Sequence, residues 1–379
     1  IDATGLHLLP GVIDSQVHFR EPGNTHKEDL ESGSRSAVLG GVTAVFEMPN
    51  TDPLTTTVEA INDKISRAVD RMWCDFAFYV GATAGNAEEL SFLETLPGVC
   101  GVKVFMGAST GNLLVSDDET LERVLASGRR RDAIHAEDED RMVEREPLRH
   151  EGGVHAHPIW RDEETALRAT KRVVRLARKT GRRVHVLHIT TAEEMEYLAA
   201  NKDIASVETT PQHITLYAPD AYDNIGTLAQ MNPPIRDKRH QPGLWAAMNN
   251  GVVDVIGSDH APHTREEKAA GYPNTPSGMP GVQTLLPVLL HHMNEGRLSM
   301  ERLIDVTSHG ANRIFNLRDK GRLAVGYDAD YTLVDLGASW EIKDEDMASK
   351  CGWTPFNGLK VKGKPVGTII RGKRVMWQG

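Results

Sequence analysis

The stretch GVIDSQVHF, residues 11–19, is followed after a helix-length segment by GVTAVFEMP, residues 41–49. Both are short runs rich in β-branched residues, the pattern of a parallel strand–helix–strand unit. Further runs of this kind occur at residues 75–80, 101–106, 131–136, 183–189, 205–210 and 252–259. Helical patterns such as residues 163–179 lie between them. Eight strands with intervening helices predict a (β/α)8 TIM-like barrel, although a doubly wound open sheet fits the same pattern.

The character of the chain changes after about residue 318. Short strand-like pieces at residues 321–335 and 367–377 replace the strand–helix alternation, and we expect the opening residues IDATGLHLLP to join them. We therefore expect a barrel domain over residues 11–318 and a small β-sandwich appendage formed by residues 1–10 and 319–379. Because the chain begins with Ile1 rather than Met, we also expect further residues before it.

Composition narrows the class of protein. A chain of 379 residues with 40% hydrophobic residues is long enough to bury a large core. The net charge of −10, with no polybasic block, argues against nucleic acid as a partner. No apolar run approaches the roughly 18 residues needed to cross a membrane. The three isolated cysteines, Cys74, Cys100 and Cys351, have no CxxC spacing and favour a reducing cytoplasm.

Polar residues gather at the predicted strand ends, where barrel enzymes carry their chemistry. In the first strand, the two-residue alternation places Gln16, His18 and Arg20 on one side. Later strands end in His135, His188 and Asp259. A single histidine at such a place is usually structural, but imidazoles and a carboxylate that share one end of a barrel indicate a first-row metal site. His185 lies three residues before His188 and should point elsewhere, so we expect it to be structural, as we expect of His155, His157, His240, His291 and His292.

Lys103 lies between Val102 and Val104 in an otherwise apolar strand. Burying an unpaired ammonium is costly, so two interpretations remain open. The lysine either extends its charged end to the barrel mouth or is a desolvated neutral amine. A neutral amine reacts with carbon dioxide, and the resulting carbamate would be an anionic ligand that bridges two metals.

Several motifs in this chain resemble those of the amidohydrolase superfamily and, within its cyclic amidohydrolases, the dihydroorotase group. They occur in the family's order: HFREPG (18–23), EMPNTDP (47–53), GVKVFMGASTG (101–111), HAED (135–138), MNPPIR (231–236), SDHAPH (258–263) and SGMPGVQT (277–284). The resemblance covers nearly the whole chain and implies zinc-dependent, reversible hydrolysis of dihydroorotate to N-carbamoyl-aspartate in pyrimidine biosynthesis. It also implies a homo-oligomer, either a dimer or a tetramer.

The resemblance also assigns roles to individual residues. The implied ligands of one or two zinc ions are His18, Lys103 as an N6-carboxylated bridge, His135, His188 and Asp259. Asp259 would in addition act as general base and then general acid. The substrate's carboxylate would be bound by Arg20, Asn50 and His263, and its ring by Asn232. The turn-rich residues 263–281 would form an active-site loop.

Gln16 departs from the family pattern, because the usual first-strand motif is His-x-His and this chain has Gln16-Val17-His18. Glutamine is a poorer ligand than histidine, so Gln16 is at best a weak ligand and the number of metals stays open. Two alternatives therefore accompany the expected activity. One is hydrolysis of another cyclic ureide, as in allantoinases and hydantoinases. The other is a non-catalytic scaffold for a partner such as aspartate carbamoyltransferase.

Overall fold

Strands are the framework of this computed structural model, which describes residues 2–109 and 113–378. In chain order they are β1 (His7–Pro10), β2 (Val12–Val17), β3 (Val42–Glu47), β4 (Asp75–Gly81), β5 (Val99–Phe105), β6 (Asp132–His135), β7 (Val184–Val186), β8 (Ala205–Thr209), β9 (Val255–Ile256), β10 (Tyr331–Glu341), β11 (Lys360–Ile370) and β12 (Lys373–Trp377). The eight runs predicted from sequence coincide with β2 to β9.

The barrel consists of β2 to β9, which pair in parallel and in sequence order. Its seam is closed by a parallel bridge between Val17 and His260, and the His18 amide donates to the His260 carbonyl at 2.7 Å. This sequential, closed order confirms the predicted barrel and excludes the doubly wound sheet, whose strand order reverses. The register sets Lys103 beside Ala133 and Phe105 beside His135, so these strand ends lie at one level.

Helices cover the outside of the barrel and the loops at its mouth. In chain order they are α1 (Leu30–Leu39), α2 (Val58–Ala68), α3 (Leu90–Leu93), α4 (Asp118–Ala126), α5 (Glu139–Arg145), α6 (His157–Trp160), α7 (Glu163–Thr180), α8 (Ala192–Ala199), α9 (Pro211–Thr215), α10 (Asp220–Ile225), α11 (Gln241–Asn249), α12 (Arg265–Lys268), α13 (Leu285–Asn294), α14 (Met300–Ile304) and α15 (Gly310–Phe315). Within the described ranges, no helix is both long and apolar enough to cross a bilayer.

Helix α7 shows how local sequence sets these elements. Asp162 caps its start by accepting a hydrogen bond from the Thr165 amide, and Gly181 ends it in the left-handed conformation at φ 72°. Val173, Val174 and other small apolar side chains form its buried face. The helix predicted over residues 163–179 is therefore confirmed to within one residue.

The two ends of the chain form a separate four-stranded antiparallel sheet in the order β1-β10-β11-β12. β1 pairs with β10, so the opening residues join the C-terminal strands as expected. The excursion between β10 and β11 returns to the barrel mouth, where the Trp353 indole donates to the His263 carbonyl at 2.8 Å. The appended segment thus supports the wall of the predicted site.

Candidate active site

A small polar cavity opens where the barrel strands end. Its lining comprises Gln16, His18, Arg20, Asn50, Lys103, Phe105, Ser109, His135, His188, Asn232, Asp259, Ala261, Ser277 and Gly278. All the site residues predicted from sequence are in this set except His263. Residues 273–277, part of the turn-rich segment 263–281, line a wider vestibule that adjoins the cavity. Thr110 and Gly111, which end the 101–111 motif, lie outside the described residues.

His18 and Asp259 form the first pair of candidate metal ligands. His18 Nδ1 lies 2.7 Å from Asn50 Oδ1, and because an amide oxygen only accepts, this nitrogen carries the ring proton. The unprotonated Nε2 then faces Asp259 Oδ1 at 3.3 Å. Two acceptors that face each other repel unless a cation lies between them. Two ligands of a tetrahedral zinc ion, each at about 2.0–2.1 Å, are separated by about 3.3 Å, so the pair fits such a cation.

Gln16 contacts the same carboxylate. Its Nε2 donates to Asp259 Oδ1 at 2.9 Å, while its Oε1 is buried without a hydrogen-bond partner in the described part of the chain. Burial by itself would raise the pKa of Asp259, but the contact with His18 and the nearby basic groups, His188 and Lys103, outweigh it. The pKa of Asp259 therefore lies well below its ordinary value. Asp259 is ionised at neutral pH.

His135 and His188 form the second pair. His135 Nε2 donates to Glu137 Oε2 at 2.9 Å, which leaves Nδ1 unprotonated and 2.9 Å from His188 Nε2. Arg161 in turn donates to both oxygens of Glu137, at 3.1 and 2.5 Å. A carboxylate behind a histidine is the usual device that orients a metal-binding imidazole. Burial lowers the pKa of both histidines, which keeps them neutral and able to bind a cation.

Lys103 shares the cavity with both pairs. It is 1% exposed, which rules out a lysine that reaches solvent at the barrel mouth. Its Nζ has no hydrogen-bond partner among residues 2–109 and 113–378 and lies 4.6 Å from the centre of the Phe105 ring. Burial lowers the pKa of Lys103 to about 7, so a large share of the amine is neutral at physiological pH. The structure therefore supports the neutral-amine interpretation.

The ligand atoms are arranged as two pairs rather than one compact cluster. In the described part of the chain, only Asp75, Asp328 and Asp330 bring three such atoms within 4.8 Å of one another. That trio is not a metal site, because Lys320 Nζ lies among the three carboxylates at 2.5, 2.9 and 2.6 Å. In the cavity, the two pairs share one lining with Lys103, whose amine has no hydrogen-bond partner among the described residues.

Three residues of the cavity have a strained backbone. Arg20, His188 and Asp259 have φ values of 62°, 65° and 45°, a region that non-glycine residues seldom occupy. Each follows shortly after a barrel strand, where the left-handed turn redirects the chain. Strain of this kind persists where surrounding structure enforces it, and it is concentrated at functional sites.

Arg20 supplies positive charge to the cavity wall. Its Nε donates to the Pro262 carbonyl at 3.1 Å, and its Nη2 lies 3.2 Å from His263 Nε2. Burial lowers the pKa of Arg20 to about 10, yet the guanidinium remains charged at neutral pH. His263 is buried behind Arg20 and is contacted from the other side by Lys27 Nζ at 3.2 Å. His263 therefore touches Arg20 rather than the cavity.

Asn232 is held by neighbours that sequence reasoning did not select. His157 Nε2 donates to both the Met231 carbonyl at 2.9 Å and Asn232 Oδ1 at 3.1 Å. Asn232 Nδ2 donates to Ser109 Oγ at 3.3 Å. The expectation that His157 is purely structural is therefore too narrow, since it orients a cavity residue. His185, by contrast, is buried against Ser206 as a structural histidine.

Glu137 and Arg161 were also missed. Glu137 stands two residues after His135 in HAED, so strand alternation offered a signal for it. Arg161 had no such signal, because it lies in the loop after α6 and reaches Glu137 only through the fold.

The sequence of this chain is similar, over nearly its whole length, to that of known proteins. Residues 7–375 match the amidohydrolase family. The dihydroorotase of Halobacterium salinarum is 39% identical over 98% of this chain and 86% of its own length. Those of Methanosarcina mazei and Pyrococcus abyssi are 36% and 35% identical, over 100% and 98% of this chain and 85% and 84% of theirs.

Among solved structures, the L-hydantoinase (dihydropyrimidinase) of Arthrobacter aurescens superposes with a TM-score of 0.94 at 30% identity, covering 100% of this chain and 87% of its own. The dihydropyrimidinase of Brevibacillus agri has a TM-score of 0.91 at 27% identity, with coverage of 100% and 86%. The fold of this chain is thus shared with a solved hydantoinase and a solved dihydropyrimidinase.

Proposed function

The chain belongs to the amidohydrolase family, and on that premise we propose that it hydrolyses the ring amide of dihydroorotate to give N-carbamoyl-aspartate. The family expected from the sequence motifs is confirmed, and the chain is a metal-dependent cyclic amidohydrolase. The same groups serve ring closure in the biosynthetic direction, since both directions share one transition state.

The observation that carries this proposal is the state of Arg20. It is 4% exposed, lines the cavity and has no ion pair with a carboxylate in the described ranges. A buried cation without a counter-ion is costly, and a ligand carboxylate removes that cost. Dihydroorotate carries such a carboxylate, whereas the rings of hydantoin and dihydrouracil do not. Asn50 also lines the cavity, and His263 acts on the carboxylate through Arg20.

The cavity residues also fit a metal centre. His18 with Asp259 would hold one zinc ion and His135 with His188 a second, and Lys103, once carboxylated, would supply an anionic ligand. A bound zinc ion supplies Lewis acidity, which polarises the ring carbonyl and acidifies water. Lys103 suits the bridging role because its neutral amine has no other partner in the structure as described.

Asp259 moves the proton. The attacking water forms a C–O bond to the ring carbonyl, and Asp259 accepts the proton that the water loses. When the C–N bond breaks, Asp259 returns that proton to the departing ring nitrogen. Asp259 is ionised before the attack, as a general base must be.

Gln16 stands where the family's usual motif has a histidine, and this affects the zinc ion next to His18 and Asp259. Because its Nε2 donates to Asp259, it acts first as a hydrogen-bond partner that fixes the carboxylate. An amide oxygen binds zinc more weakly than an imidazole does, so we propose that the ion held by His18 and Asp259 is the weaker of the two. Catalysis does not require Gln16 as a ligand in this scheme.

The test compares substrates and metal content in one preparation. The zinc-loaded protein should turn over dihydroorotate, with little activity on hydantoin or dihydrouracil. Arg20→Met should lose the dihydroorotate activity and keep its zinc, as measured by elemental analysis. Equal turnover of the uncharged rings would favour the hydantoinase alternative. No turnover at all after addition of zinc and bicarbonate would favour the scaffold alternative.

We also propose a cytoplasmic homo-oligomer of two or four copies. Cys74, Cys100 and Cys351 are all free thiols, which suits a reducing compartment. Light scattering of the protein in solution measures the number of copies. A monomer at every concentration tested would contradict the proposed oligomer.

A further inference from the structure

Lys268 is a buried basic residue next to the cavity wall, and neither the metal centre nor the proton transfer uses it. It ends the short helix α12, whose start is capped by Thr264 and Glu267. Its side chain is 1% exposed, and Nζ donates to the carbonyls of Gln230, Pro276 and Gly278 at 3.0, 2.9 and 3.1 Å. Three carbonyls satisfy its three donors, but none of them neutralises its charge.

The three carbonyls belong to two segments that form the cavity wall. Gln230 stands two residues before Asn232, while Pro276 and Gly278 flank Ser277. The two segments are also joined directly, because the Gly278 amide donates to the Gln230 carbonyl at 2.9 Å. Lys268 thus fastens the loop of residues 275–279 to the segment that carries Asn232.

The wall so fastened has little room to shift. Gly278 has a φ of 138° and packs against Ala261, where an added Cβ would lie 2.5 Å from the carbonyl oxygen. Ala261, Ser277 and Gly278 all line the cavity. A change in the anchor at Lys268 would therefore change the shape of the cavity itself.

Charge adds a second effect. In residues 2–109 and 113–378, neither Lys268 nor Arg20 has a carboxylate within 4.0 Å, and the two cations repel each other. Burial, assisted by Arg20, lowers the pKa of Lys268 to about 7. In its protonated form, Lys268 places its charge over the Trp353 ring, whose centre is 6.0 Å from Nζ. An anion bound at Arg20 would relieve this repulsion.

We propose that Lys268 is a positioning residue for the substrate carboxylate: it fixes the 275–279 wall and adds positive potential to the subsite of Arg20. This inference rests on the proposed function, because it assumes an anionic ring as the ligand. It differs from a purely structural role in one respect. Loss of Lys268 should weaken the binding of anionic rings more than the binding of neutral rings.

The experiment measures binding of orotate, which carries the carboxylate, and of uracil, which lacks it, to the zinc-loaded protein. Lys268→Met removes the charge and the donors, whereas Lys268→Gln keeps two donors without the charge. Lys343→Met is the matched control, because it removes one charge from an exposed side chain. Melting temperature and zinc content of each variant are measured alongside.

We expect Lys268→Met to weaken orotate binding about tenfold or more and uracil binding less than threefold, with a larger change in KM than in kcat for dihydroorotate. Lys268→Gln should show the same preference to a smaller extent, and Lys343→Met neither. Equal weakening of both rings, or no weakening, would overturn the proposal. Failure of both Lys268 variants to fold would also overturn it, since Lys268 would then serve the fold rather than the subsite. If the wild-type protein binds no orotate, the proposed function itself fails.

Discussion

Replacement of Lys103 by methionine should stabilise the metal-free protein while it abolishes metal binding and activity. Methionine has similar length and adapts well to an apolar site beside the Phe105 ring. The amine that it replaces has no partner in the part of the chain that is described, so no hydrogen bond is lost. Without a metal or a carbamate, Lys103 destabilises the folded protein.

The lowered pKa of Lys103 gives the size of this destabilisation. In the folded chain the pKa is lowered from 10.5 to about 7, so the unfolded chain binds the proton more readily. The free-energy cost of burying the protonated amine in the folded chain therefore has its full value below pH 7. It disappears as the pH rises from about 7 towards 10.5. At about 1.4 kcal/mol per unit, it amounts to about 4 kcal/mol at pH 7.

This free energy corresponds to a measurable shift in melting temperature. Unfolding a chain of 379 residues involves about 0.8 kcal/mol per kelvin of entropy, so about 4 kcal/mol shifts the melting temperature by about 5 °C. In the presence of a chelator at pH 7, Lys103→Met should melt about 5 °C above the wild-type protein, and the difference should shrink at pH 9 to 10. A variant that melts at or below the wild-type temperature, or that still retains zinc, would refute this reasoning.

Three further predictions concern the same centre. Glu137→Gln should lower zinc affinity about 10- to 100-fold, because the hydrogen bond that orients His135 becomes weaker. Competition with a chelating dye measures the affinity, and an unchanged affinity would contradict this prediction. Gln16→His should raise the zinc content per chain or the affinity for the weaker ion; elemental analysis and calorimetry measure it, and an unchanged profile would show that Gln16 does not limit metal binding. Reconstitution of the metal-free protein with zinc and bicarbonate should be faster at pH 8 than at pH 6, because Lys103 loses its proton near pH 7; a rate independent of pH would argue against carbamate formation at Lys103.

The fold and the cavity lining could be predicted from the sequence because both depend on local patterns. Runs of β-branched residues mark the strands, and a closed parallel barrel brings all their C-terminal ends to one rim. His135 and Asp259 meet at the cavity for that reason, although 124 positions separate them in the chain. Lys103 could be selected because a charged residue in an apolar strand requires an explanation.

The supporting residues could not be predicted because their positions depend on loops. His157 reaches Asn232, and Lys268 reaches Gln230, only after irregular segments fold over the barrel mouth. Trp353 arrives from the C-terminal excursion between two strands of the other sheet. No periodicity in the sequence reports such contacts. The left-handed backbone at Arg20 is likewise set by its surroundings rather than by its residue type.

The most direct test of the metal centre is a crystal structure of the zinc-loaded protein with anomalous data collected at the zinc edge. We predict anomalous density between His18 and Asp259 and between His135 and His188, with a carbamate on Lys103 and weaker density on the His18 side. Anomalous density at Asp75, Asp328 and Asp330 alone, or none in the cavity, would contradict the account.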